Sequence, residues 1–196
     1  MKYFELMFNY EKYDGATCLM TKDIQGINQY IFDEGKKIDK WQDFSFYYNP
    51  DEANEFIDYQ GNELGWFIIS SRFKKIIEDL GSEGVQFLPI KIINEKDNSV
   101  NTDYFVVNFI SHIEGAFDFT NSLYVGEKPT KDKIAFEPAR FYAIRENSIK
   151  NYHVFKLKEC PMPFFISEIL KKTIEKNNIK GCFVIQKMKV YTYFKK

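Results

Sequence analysis

A chain of 196 residues that carries one 18-residue stretch nearly twice has few ways to fold. Residues 67–84 read FIISSRFKKIIEDLGSEG and residues 164–181 read FFISEILKKTIEKNNIKG, a shift of 97 positions. Without a gap, 8 of the 18 positions are identical, among them Phe67/Phe164, Ser70/Ser167, Ile77/Ile174 and Gly84/Gly181. Each copy runs from a short apolar stretch through a serine into helical spacing and ends at a glycine. Phe73, Ile76, Ile77 and Leu80 fall at i, i+3, i+4 and i+7, and Ile169, Leu170, Thr173 and Ile174 make the matching stripe. Ser70 or Ser71 and Ser167 are the candidate N-caps. With VQFLPIKI after the first helix and CFVIQKMKVYTYF after the second, each copy reads as a strand, helix, strand unit of about thirty residues.

The rest is rich in strand signals. Phe4, Leu6 and Phe8 alternate with other residues, as do Phe44, Phe46 and Tyr48, so the N-terminal third reads mostly as sheet. DYFVVNFI at 103–110 is the most apolar strand candidate. SHIEGAFDFTNS reads as strand and loop, Gly126 and Pro129 mark a turn, and ARFYAIRENS and KNYHVFKLKECP are two further strand-like runs. Pro89 predicts an edge or bulge, and Pro161 and Pro163 introduce the second copy. Aromatic residues make up 18% of the chain, which favours strands and argues against disorder. The expected fold is α+β: a single domain over 1–196, mostly β-strands with a few amphipathic helices. Residues 1–63 form its more divergent part and 64–196 hold the two repeat units.

Charge is distributed unevenly. Residues 1–63 hold 13 acids and 6 bases, whereas residues 147–196 hold 3 acids and 11 bases. Such asymmetry either folds back on itself or meets an outside partner, and the internal or solvated reading is the simpler one. Glu5, Asn9 and Glu11 interrupt the N-terminus before any apolar run long enough for a signal peptide, and no stretch approaches a membrane span, so a cytoplasmic protein is expected. Cys18, Cys160 and Cys182 fit no disulfide framework or zinc spacing and read as core thiols.

Chemistry is sparse. His112 and Glu114, with Asp118 beyond, could share a strand face and hold a metal, but two ligand types on one strand are common by accident. His153 sits among Tyr152, Val154 and Leu157 and reads as structural. No G-x-S-x-G, G-x-G-x-x-G or P-loop pattern occurs. KMKVYTYFKK could meet nucleic acid through phosphate contacts and stacking, yet it reads more simply as a last strand with Lys187 and Lys189 on its wet face. No catalytic residue and no cofactor are expected. The carboxylates Asp51/Glu52 and Asp58/Glu63 read as a solvated acidic face. As a binding patch, Asp51, Glu52, Glu55, Asp58 and Glu63, with Phe56, Tyr59 and Trp66 as aromatic anchors, would suit a basic partner.

Several motifs recur in a fixed order: S-x(2)-F-K-K-I-I-E, G-V-Q-F-L-P-I, Y-F-V-V-N-F, Phe117-Asp118, Y-H-V-F-K, F-F-I-S-E and I-K-G-C-F. In that order the chain resembles, over roughly residues 64–185, a large bacterial family first described as a domain of unknown function. That family is now regarded as immunity proteins of polymorphic toxin systems. Where it often carries Arg, this chain has Lys156. The resemblance implies a small cytoplasmic protein that binds and inhibits one cognate toxin domain stoichiometrically, with no catalytic residues to carry over. The alternatives are a binding module unrelated to toxins and an enzyme built on His112. No sequence feature sets the oligomeric state.

Overall fold

Ser70 and Ser167 open their helices with one geometry. The computed structural model describes residues 2–12, 17–24, 26–42, 44–52, 55–123, 141–185 and 188–191. In it each serine is extended, and its Oγ accepts a hydrogen bond from the backbone N–H of Phe73 or Leu170, at 3.2 Å in both cases. The capped helices are α1 (Ser71–Asp79) and α2 (Glu168–Lys176). They bury Phe73 and Ile77, and Leu170 and Ile174. Each carries an i,i+4 ion pair at 2.7 Å, Lys74–Glu78 and Lys171–Glu175. Ile169, expected in the buried stripe, is 42% exposed instead. One residue of helix turns a side chain by about 100°, so Ile169 cannot share the direction of Leu170.

Eleven described strands accompany the helices: β1 (Tyr3–Phe8), β2 (Phe44–Tyr48), β3 (Tyr59–Gln60), β4 (Ile68–Ser70), β5 (Val85–Asn94), β6 (Val100–Phe109), β7 (Tyr142–Arg145), β8 (Val154–Leu157), β9 (Cys160–Ser167), β10 (Cys182–Ile185) and β11 (Met188–Tyr191). One sheet has the order β2-β5-β6-β4-β3, another β10-β1-β9-β8, and β11 pairs with β7. The fold is α+β, and two layers of sheet enclose the helices' apolar faces.

The duplication reaches well beyond the 18 residues that show it in sequence. Parallel β2 and β5 set Phe44 opposite Ile90, and parallel β7 and β11 set Tyr142 opposite Met188, the same pairing of strands in the second copy. Tyr59 faces Ile69 across β3 and β4, as Val154 faces Ile166 across β8 and β9. Between β4 and β5 lies β6, with Ile68 opposite Val106 and Val85 opposite Phe109. Between β9 and β10 lies β1, with Phe165 opposite Glu5 and Cys182 opposite Phe8, in the equivalent register. The chain is therefore two tandem copies, residues 3–94 and 100–191, and each copy's first strand completes the other copy's sheet. Because β6 and β1 occupy the intervening places, each strand, helix, strand unit is a crossover that skips one strand.

Side chains at equivalent positions meet at the centre. Phe67 and Phe164 stack with ring centroids 4.4 Å apart, within a core that also holds Phe4, Ile69, Phe73, Phe109, Ile166 and Leu170. Burying one such ring contributes about 1.5–3 kcal/mol, and a well-placed aromatic pair about 0.5–1.5 kcal/mol more. A second core lies behind each sheet, around Phe44, Phe46 and Trp66 in one copy and Tyr142, Phe155 and Phe165 in the other. Gly181 follows α2 with φ 90°, and a Cβ there would collide with the Tyr59 carbonyl oxygen.

Several local expectations change. Residues between β1 and β2 carry isolated bridges at Leu19 and Met20 and one 3-10 turn (Ile31–Asp33), so the N-terminal third is less sheet-like than its alternation implies. The 111–122 stretch forms only isolated bridges, at Ile113 and Phe117. Pro161 and Pro163 lie inside β9, in the part where neither β1 nor β8 pairs, which spares the ladder a missing donor. Pro89 sits in a central strand; the irregularity against β6 falls just past it, between Ile90 and Ile92. Cys160 is buried and Cys182 half-buried, but Cys18 is exposed and is no core thiol. No described helix is long and apolar enough to cross a membrane. The Gly126 to Pro129 turn, Lys187 and residues 192–196 lie outside the described residues.

Candidate functional site

The acidic segment around Asp58 meets the loop after α2. Asp58, from the first copy, is 8% exposed, and its carboxylate accepts four hydrogen bonds from three residues. Arg72 approaches with Nε at 3.1 Å and a terminal nitrogen at 2.6 Å, Ser70 Oγ lies at 2.7 Å, and the Lys180 backbone N–H at 2.9 Å. Burial by itself would raise the Asp58 pKa. The hydrogen bonds from Arg72, Lys180 and Ser70 outweigh it and hold the carboxyl below its usual range. Arg72 also donates to the Asn178 carbonyl at 3.1 Å, and Lys180 Nζ pairs with Glu55 at 2.6 Å. These contacts tie the first copy to the loop after α2.

A second tie crosses elsewhere. Lys156, whose side chain is 9% exposed, reaches Asp33 at 2.7 Å, and its ammonium lies 5.8 Å from the Phe109 ring centroid. His112 packs beside this pair against Gly35, where an added Cβ would lie 3.0 Å from the imidazole. Burial, then the Lys156 charge, push the His112 pKa down to about 4, with Asp33 partly opposing. Both ties join acids of the first copy to bases of the second. Asp33 and Glu55 of the acidic segment thus meet bases of the last segment, while Asp58 pairs with Arg72 of its own copy.

The residues proposed from sequence as one patch do not share one surface. Asp58, Tyr59 and Trp66 are interior, which corrects their reading as solvated acid and exposed anchors. Tyr59 lies edge-on to Phe67 at 4.8 Å, and Trp66 donates its indole N–H to the Gln29 carbonyl at 2.9 Å. Phe56 is half-buried, edge-on to Tyr48 at 4.9 Å. Asp51, Glu52, Glu55 and Glu63 stay exposed; Asp51 pairs with Lys96 at 2.9 Å, and Glu63 accepts from the Thr21 N–H. His112, Glu114 and Asp118 do not converge: Glu114 pairs with Lys158 at 2.8 Å, and Asp118 accepts from the Thr120 N–H at 2.9 Å. No group of three or more metal-ligating side chains occurs among the described residues.

Sequence reasoning overlooked Arg72, Lys180 and Lys156 as partners of the acids. The repeat held a clue. Asp58 and His153 are equivalent, since Ser70 N–H donates to the Asp58 carbonyl and Ser167 N–H to the His153 carbonyl, each at 2.9 Å. His153 Nδ1 also meets Ser167 Oγ at 2.8 Å, as Asp58 meets Ser70. A position that supports a helix cap in both copies is structural first.

The two copies form one scaffold in which the Asp33–Lys156 and Glu55–Lys180 pairs join one half to the other. A family model described as the immunity protein family (Imm11) matches residues 5–189, so the chain belongs to that family. The match reaches back into β1 and covers both copies, further than the motif order alone extends. No curated protein matches the chain. Family membership gives it an immunity-type role exercised through protein–protein interaction.

Proposed function

We propose that this protein binds one cognate toxin domain in the cytoplasm and neutralises it stoichiometrically, by covering a surface the toxin needs. The family match over residues 5–189 carries this reading. The way the two copies are joined supports it, because a rigid, tightly cored body loses little freedom on binding. The acids that remain exposed, Asp51, Glu52, Glu55 and Glu63, are the part of the acidic segment that a basic toxin would meet. Opposite charge across such a contact speeds encounter more than it deepens affinity.

The test is co-expression with the C-terminal domain of the toxin-like protein encoded beside this chain. Cell survival together with a one-to-one complex on size exclusion is the expected result. A toxic neighbour that is neither bound nor silenced refutes the pairing and leaves a general binding module as the better reading.

A further inference from the structure

One face of the larger sheet carries an apolar row that is open to solvent. Met20 bridges to Tyr47, Tyr47 lies opposite Ile93, and Ile93 lies opposite Val100. Directly opposed residues share a face, so these four form one apolar row across the sheet. The alternate positions Phe46 and Ile92 are fully buried on the other side. Met20 is 49% exposed and Val100 52%, with Tyr47 and Ile93 half-buried between them. In the second copy Phe117 bridges to Ile144 one residue out of step with this pair, and both side chains lie in the core behind the sheet, on the face that Phe46 occupies in the first copy.

The border of the open row is acidic. The strands carrying it run into the 49–52 and 94–99 loops, which are joined by the Lys96–Asp51 pair at 2.9 Å. Glu95 pairs with Lys22 at 3.1 Å, and the Lys22 ammonium stands 4.2 Å from the Tyr47 ring centroid. Glu52, Asp97 and Asp103 are exposed and in no ion pair among the described residues. After the local pairs are matched, the border keeps an excess of carboxylates beside an apolar centre. That combination complements a protein surface with an apolar centre and a basic rim.

We infer that the Met20, Tyr47, Ile93, Val100 row with its Glu52, Asp97 and Asp103 border is the docking surface for a basic face of the toxin domain. This rests on the function proposed above and adds where, and with what chemistry, the partner is held.

The probe is the neighbouring toxin domain in catalytically inactivated form, titrated into the full chain by calorimetry at two salt concentrations. Val100→Arg places a charge in the row at an already exposed position, and the triple variant E52K/D97K/D103K reverses the border. Val100→Arg is expected to weaken binding by roughly tenfold or more, as for a central contact. The triple variant should weaken it and flatten its salt dependence, while Lys75→Glu on the far face of α1 leaves both unchanged. Hydrogen exchange of the wild-type complex should show protection across β2 and the β5–β6 hairpin. Wild-type affinity in both surface variants, or protection confined to the helices, overturns this surface and leaves the immunity reading standing. A wild-type chain that does not bind the toxin domain refutes both together.

Discussion

Removing the Asp58 carboxylate tests whether the join between the copies is as important as its geometry implies. Asp58→Ala leaves the Ser70 hydroxyl and the Lys180 N–H without their acceptor in a site that is 8% exposed. An unsatisfied buried donor costs about 1–3 kcal/mol. Arg72 loses its pair too, but its side chain is 56% exposed, so water takes over and its share is small. The expected loss is about 2–4 kcal/mol by urea unfolding at neutral pH. The second copy supplies a comparison, because His153 and Ile169 stand where Asp58 and Arg72 stand in the first. The double variant D58H/R72I copies that neutral arrangement and should be more stable than D58A/R72I, since imidazole restores an acceptor for Ser70 Oγ. A D58A protein within about 0.5 kcal/mol of wild type, the range of an ordinary surface substitution, would refute the argument.

Three other perturbations have defined outcomes. Gly181→Ala, with its left-handed φ and the Tyr59 carbonyl oxygen in the way, should lower stability by about 2 kcal/mol or more, whereas Gly26→Ala, with open space around it, should cost about 1 kcal/mol; thermal unfolding compares the two. Ser70→Ala and Ser167→Ala should each cost about 1 kcal/mol for the lost cap, and unequal values would show that the matching 3.2 Å bonds are not equivalent energetically. For His112 the folded pKa of about 4 lies below the ordinary 6.5, so between those values the unfolded chain takes up a proton that the folded chain refuses. The stabilisation is full above 6.5 and declines as pH falls toward 4. Discounted for a half-buried ring, it amounts to about 1–2 kcal/mol, and the difference in unfolding free energy between wild type and His112→Gln across that window measures it.

The helices, their serine caps and the glycines after them are legible in sequence because each is a local device with its own residue preference. The strand exchange is not. β1 and β6 share no conspicuous identity, since what they share is a register, set by partners such as Phe165 and Ile68 that lie far along the chain. The acidic segment misled for a related reason. Asp51 to Glu63 contains no Lys or Arg; Asp58 takes its base from Arg72, 14 residues on, and Glu55 from Lys180, 125 residues on. A local count of charge therefore saw a surface where the fold makes a seam. Trp66 and Tyr59 belong to the same misreading: aromatic residues beside acids look like anchors until the sheet that buries them is known.

Duplication also separates what holds the molecule together from what it can offer a partner. Equivalent positions that match in both copies, such as Ser70/Ser167, Phe67/Phe164 and Lys74/Lys171, serve caps, core and helix pairs, and a single binding event has no use for two of them. Function in a tandem fold of this kind falls to positions where the copies disagree. Asp58 against His153 is one such disagreement, yet it is enclosed by its own hydrogen bonds. Met20, Tyr47, Ile93 and Val100 instead line the open face of the larger sheet, with Met20 and Val100 about half exposed. Exposed apolar residues aligned in register across a sheet are a liability unless something covers them or charge guards them. Here Glu52, Asp97 and Asp103 guard the row in the free protein, and the same charges give an approaching basic surface its orientation.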